Sequence, residues 1–90
     1  MTDENLIKLK SKAFAIRIVR LYQYLMKQEE QVREYVMSKQ ILRSGTSIGA
    51  NVSEAEYGYS KKEFRAKFKI ALKEASETRY WLDLLHETDY

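Results

Sequence analysis

The chain has 90 residues, with 16 Lys+Arg against 13 Asp+Glu, one His, three Gly, no Pro and no Cys. That length is one small domain, and the lack of cysteine excludes a disulfide scaffold, a thiol nucleophile and the common zinc fingers. The longest purely apolar run, Ala13–Ile16, falls far short of a membrane span. The acidic, polar start Met1-Thr2-Asp3-Glu4-Asn5 has no basic, apolar leader, so a cytoplasmic protein with no membrane partner is expected.

The scarcity of helix breakers makes the whole chain read as helix. A first helix is expected over residues 5–28, where Ile7, Phe14, Ile18, Leu21 and Leu25 share one face. Thr2 or Asp3 suits its N-cap. The polar stretch Lys27-Gln28-Glu29-Glu30-Gln31 is the expected turn.

A second helix is expected over residues 32–57, with Met37, Ile41, Ser44, Gly45, Ile48, Val52 and Ala55 on one face. Arg43-Ser44-Gly45-Thr46-Ser47 has the composition of a loop. The 3.6-residue period runs through it and argues for helix. Glycine within a helix costs about 1 kcal/mol relative to alanine, so Gly45 and Gly49 point to close approach of a neighbouring backbone.

The third boundary is the clearest. Gly58 suits a helix end. Ser60-Lys61-Lys62-Glu63 has capping-box spacing, and Tyr59 and Phe64 occupy the two hydrophobic-staple positions. The third helix then covers residues 61–86, with Phe64, Phe68, Ala71, Ala75, Thr78, Leu82 and Leu85 on its core face. Three long helices with short connections imply an all-α, antiparallel up-down bundle in a single domain, residues 1–90, with a fourth bundle position open.

Charge is uneven. Between Asn5 and Gln28 stand Lys8, Lys10, Lys12, Arg17, Arg20 and Lys27 with no acid. In the third helix Lys62, Arg65, Lys69 and Lys73 form a stripe opposite the core face, and the acids Glu74, Glu77, Asp83 and Glu87 follow it. Cations in a first turn oppose the helix dipole. A local cost without structural return is the footprint of a phosphate-binding surface, here Lys62, Arg65, Lys69 and Lys73 with Lys8, Lys12, Arg17 and Arg20. Lysines that merely solvate an outer face are the plain alternative, and the net charge of only +3 favours it.

Two further groups suit an oligomer or packing interface. Arg43, Ser47, Asn51 and Glu54 line one side of the second helix. Glu74, Glu77, Trp81 and Leu84 line a second surface of the third, where a tryptophan among carboxylates suits a helix–helix or subunit contact. Asp83-x-x-His86 has the spacing of a di-iron carboxylate–histidine pair, but one histidine cannot build such a site. No nucleophile–base pair, phosphate-binding glycine loop or metal cluster is visible. The expectation is therefore no enzyme, no cofactor, no metal and no small-molecule substrate.

The run Gln40-Ile41-Leu42-Arg43-Ser44-Gly45-Thr46-Ser47-Ile48-Gly49-Ala50-Asn51-Val52-Ser53-Glu54-Ala55 resembles the signature of a bacterial family. So does Ser60-x-x-Glu63-Phe64 with the later Ile70-Ala71-Leu72-Lys73-Glu74-Ala75-Ser76-Glu77-Thr78-Arg79-Tyr80-Trp81-Leu82. The family is the small four-helix-bundle proteins encoded in intervening sequences of 23S ribosomal RNA genes, related to the accessory proteins of diversity-generating retroelements. The resemblance covers nearly the whole chain and favours helix over loop for residues 43–50. It implies an antiparallel bundle, a ring-like homopentamer with a basic exterior, nucleic-acid binding in the retroelement members and no enzymatic activity. Family members continue into a fourth helix, whereas this sequence stops at Tyr90. Two functions follow: an oligomeric module that holds RNA or DNA on its basic surface, or a purely structural scaffold, for example a partner of a reverse transcriptase or ribosomal factor.

Overall fold

The computed structural model describes residues 3–27 and 36–88, and every regular element among them is helical. Helix α1 is Asp3–Met26, α2 is Val36–Ala55 and α3 is Lys61–Glu87. The expected turn at 28–31, the expected first residues of the second helix and the Thr2 cap lie outside the described residues. Residues 43–50 are helical throughout.

Helix α2 ends two residues before the expected Tyr57. Three successive tight bonds close it: Glu56 N–H to Ser53 C=O, Tyr57 N–H to Glu54 C=O and Gly58 N–H to Ala55 C=O. Such i→i−3 bonds satisfy carbonyls that the last helical turn leaves open. Ser60, in extended conformation, then caps α3 by accepting the Glu63 N–H at 3.2 Å. The Glu63 carboxylate accepts the Tyr59 N–H at 2.6 Å, one residue before the cap. This departs from the usual reciprocal box, in which the carboxylate takes the amide of the cap itself. The staple does not form either, because Tyr59 is 97% exposed. Phe64 packs instead on Phe68 one turn along, with ring centroids 4.8 Å apart.

Helix α2 packs against both α1 and α3, and no close backbone approach joins α1 to α3. Lys8 meets Glu56, Gly49 faces Ser11 and Gly45 faces Ile18, so partner numbers fall along α2 as they rise along α1. The α2–α3 partners behave likewise: Glu54 with Lys67, Ser44 with Thr78, Arg43 with Glu74 and Glu77. The glycines serve the first seam. A Cβ on Gly49 would stand 3.2 Å from the Ser11 carbonyl oxygen, and one on Gly45 would stand 2.9 Å from two Ile18 carbons.

The second seam holds a buried hydroxyl pair. Ser44 (0% exposed) and Thr78 (1% exposed) lie 2.9 Å apart, oxygen to oxygen. Ser44 O–H donates to the Gln40 carbonyl, and Thr78 O–H is shared with the Glu74 carbonyl. Both hydroxyls are thereby satisfied without water, as buried polar groups require.

The core is uneven. Ile18, Ile41 and Leu85 form its centre, with Leu21, Leu25, Met37, Leu42, Trp81 and Leu82 around them. Towards the α2–α3 turn the buried side chains shrink to Val52, Ala55 and Ala71. The expected α1 face is only partly covered there. Ile7 and Phe14 stay substantially exposed, because the small α2 side chains admit α1 closely while α3 lies too far away to cover it. Together with Ile48 and Ala75 they line an apolar groove of about 440 Å³ between α1 and α3.

Candidate nucleic-acid interface

Lys62, Arg65, Lys69 and Lys73 recur at helical spacing on α3, on the side away from buried Ala71, Thr78 and Leu85, and all four are exposed. Among the described residues none of them joins an ion pair. Other cations do. Lys67, on the flank turned to α2, contacts Glu54 at 2.7 Å. Lys8 contacts Glu56 at 2.8 Å. Arg43 reaches Glu74 at 3.3 Å and also pairs with Glu77. Position explains the split: a cation beside a neighbouring helix finds its carboxylates, and a cation on the outer face finds water.

The α1 cations form a different surface. The hydrogen bond and charge of Glu56 hold the Lys8 ammonium above its usual 10.5. Lys8 and Lys12 line the crease between α1 and α2 with Ala15, Gly49 and Ser53. Lys12 and Arg20 border an open apolar cleft formed by Ala15, Ile16 and Val19. Arg17 is exposed. No close backbone approach joins α1 to α3, so these residues and the α3 stripe stand on helices joined only through side chains.

The residues expected at an oligomer or packing interface sit along the α2–α3 seam. Arg43 joins Glu74 and Glu77, with Gln40 also accepting its Nε–H at 3.2 Å. Glu54 holds Lys67, and the Asn51 amide donates to the Ser47 carbonyl of its own helix at 2.8 Å. Trp81 packs on the central cluster with its Nε1 buried and without a partner among the described residues. Leu84 and Ser47 are half-buried. Asp83 and His86 are exposed near the end of α3, and no group of three or more potential metal ligands occurs among the described residues.

Sequence reasoning missed two features. Leu9, Ile16 and Val19 are exposed on α1; with Leu6 and Ala13 they recur at steps of three and four residues, a second apolar sector beside the face of Ile7, Phe14 and Ile18. Tyr57 and Tyr59 flank Gly58 and are the most exposed large apolar side chains among the described residues. The Tyr-Gly-Tyr order in a turn was their signal, and the staple pattern masked it.

These features define an all-helical protein with a cationic outer face, and no described helix is long and apolar enough to cross a membrane. The chain belongs to the 23S rRNA-intervening sequence protein family, whose profile matches residues 3–90. It is similar to a protein of unknown function from the S23 ribosomal protein family of Bacteroides thetaiotaomicron VPI-5482, known from a 1.70 Å crystal structure. The two are 56% identical with a TM-score of 0.92, and the match covers 99% of this chain and 77% of that chain. No curated protein matches.

Proposed function

We propose that this chain is a non-enzymatic, homo-oligomeric helical-bundle domain that binds the backbone of RNA or DNA. The observation that carries the reading is the selective pairing of its cations. Lys62, Arg65, Lys69 and Lys73 stand exposed and without acid partners among the described residues, while Lys8, Arg43 and Lys67 have theirs. With the acids beside the seam engaged by these seam cations, the charge on the outer face of α3 stays unneutralised and open to phosphates. Lys12, Arg17 and Arg20 supply a second cationic face.

The opposed numbering of the α1–α2 and α2–α3 contacts supports an antiparallel up-down arrangement. The groove of Ile7, Phe14, Ile48 and Ala75 supports the fourth helix that the family resemblance implies. Exposed Leu9, Ile16 and Val19 support self-association, a pentamer by that same resemblance. Assembly matters for binding, since several modest patches acting together multiply affinity.

The test is an anisotropy titration with structured RNA at about 50 and 200 mM salt. Binding should fall steeply with salt. Changing Lys62, Arg65, Lys69 and Lys73 together to Gln should weaken binding and flatten the log–log salt slope by about 3 to 4 per engaged subunit. No binding to RNA or DNA at the lower salt rejects the reading. It leaves the protein-interaction scaffold, which the apolar exposure on α1 also favours. Light scattering that returns a monomer mass at tens of micromolar rejects the oligomer.

A further inference from the structure

The α2–α3 turn holds two aromatic rings in water. Tyr59 is 97% exposed and Tyr57 77%. Their backbone is tightly held. The three i→i−3 bonds that close α2 run through Glu56, Tyr57 and Gly58, and the Glu63 carboxylate grips the Tyr59 amide. The chain crosses itself closely at Gly58, where a Cβ would lie 3.3 Å from the Ala55 oxygen, the Glu63 Cβ and the Phe64 nitrogen. A held turn with outward rings forgoes the burial energy those rings could supply. Phe64, the natural packing partner of Tyr59, is engaged with Phe68.

The surroundings say what the rings could meet. Every carboxylate near the turn is committed: Glu54 to Lys67, Glu56 to Lys8 and Glu63 to the Tyr59 amide. Lys61, Lys62 and Arg65 have no such partner among the described residues. Tyr59, Lys61, Phe64 and Arg65 line an open cleft of about 630 Å³ at the turn. From there the stripe continues through Lys69 and Lys73 towards Tyr80, which is 58% exposed. Rings beside a cationic track are the recognition pattern of unpaired nucleic acid: bases stack on the rings and phosphates follow the charges. A duplex keeps its base faces stacked and could use only the charges. An acidic peptide would use the charges and leave the rings idle.

We infer that Tyr57 and Tyr59 form a base-stacking platform at the head of the Lys62–Arg65–Lys69–Lys73 stripe, and that the ligand is a single strand. This inference rests on the nucleic-acid reading above. At 1.5 Å rise per residue, Lys61 to Tyr80 spans about 28 Å. A strand stacked at 3.4 Å per nucleotide fills that length with about eight nucleotides.

The test compares an oligouridylate of about ten nucleotides, a blunt RNA duplex of similar length and polyglutamate by anisotropy at low salt. Tyr57→Ala/Tyr59→Ala should weaken oligouridylate binding about ten-fold or more and leave duplex binding within about two-fold. Tyr57→Phe/Tyr59→Phe should keep the wild-type affinity, because the ring face is retained. Helical content and melting should match wild type in both variants, since neither ring packs. If the Ala variant binds the single strand as wild type does while the four-fold Gln variant loses it, the platform is rejected and the basic-surface reading stands. If polyglutamate competes as well as oligouridylate and the Ala variant does not alter this, the platform is again rejected. If wild type binds neither RNA probe, the nucleic-acid reading itself fails.

Discussion

Gly45→Ala sets two opposite effects against each other. Alanine favours a helix by about 1 kcal/mol over glycine. Here the new Cβ would lie 2.9 Å from both Ile18 Cγ1 and Cγ2 and 3.3 Å from Ile18 Cβ. Ile18 is β-branched, so its χ1 is stiff, and it is buried against Ile41 and Leu85. Neither carbon is the loose end of a flexible chain. Overpacking of about 1–3 kcal/mol should therefore outweigh the helical gain. The expected net loss of about 1 kcal/mol lowers Tm by about 4–8 °C in a domain of this size. Ile18→Ala removes both clashing carbons and by itself costs about 2–5 kcal/mol. In that background Gly45→Ala should change sign and stabilise by about 1 kcal/mol. Thermal melts of the four proteins, followed by helical circular dichroism, close the double-mutant cycle. A Tm that rises in Gly45→Ala alone by the amount helix propensity predicts would refute the close approach of α1 and α2.

Thr78→Val keeps the shape but removes a hydroxyl shared with Ser44 and the Glu74 carbonyl; Ser44 still donates to Gln40, so urea titration should show a loss of about 1 kcal/mol. Trp81→Phe deletes a buried Nε1–H that has no partner among the described residues, and its cost should stay well below the roughly 3–5 kcal/mol of Trp81→Ala; equal losses would mean that the indole nitrogen is bonded. Arg43→Met breaks the bridge to Glu74 and Glu77, which is partly exposed, so it should cost about 1 kcal/mol at low salt and less in high salt.

The helices are legible in the amino-acid sequence because their rules act within a turn or two. The Ser60 cap depends on an amide three residues away, and the helical period through Gly45 and Gly49 needs no partner to be visible. The glycines also point to the close seam, since their cost within a helix demands a return. The cationic stripe is legible for the same reason, as a periodic pattern on one helix. Which cations remain free is not. Lys8 and Lys67 look like Lys12 and Lys69 in sequence, and only the helix lying opposite neutralises the first two. Arg43 finds Glu74 and Glu77 more than thirty residues away, a choice made by packing. The exposed ring of Tyr59 is hidden for the opposite reason. Its spacing to Phe64 satisfies a local rule, and the rule fails because Phe64 turns to Phe68 and Glu63 draws the Tyr59 amide towards the cap. Local pattern determined the helices; the tertiary structure decided which side chains were left for a partner, because burial and ion pairing depend on what lies across the seam.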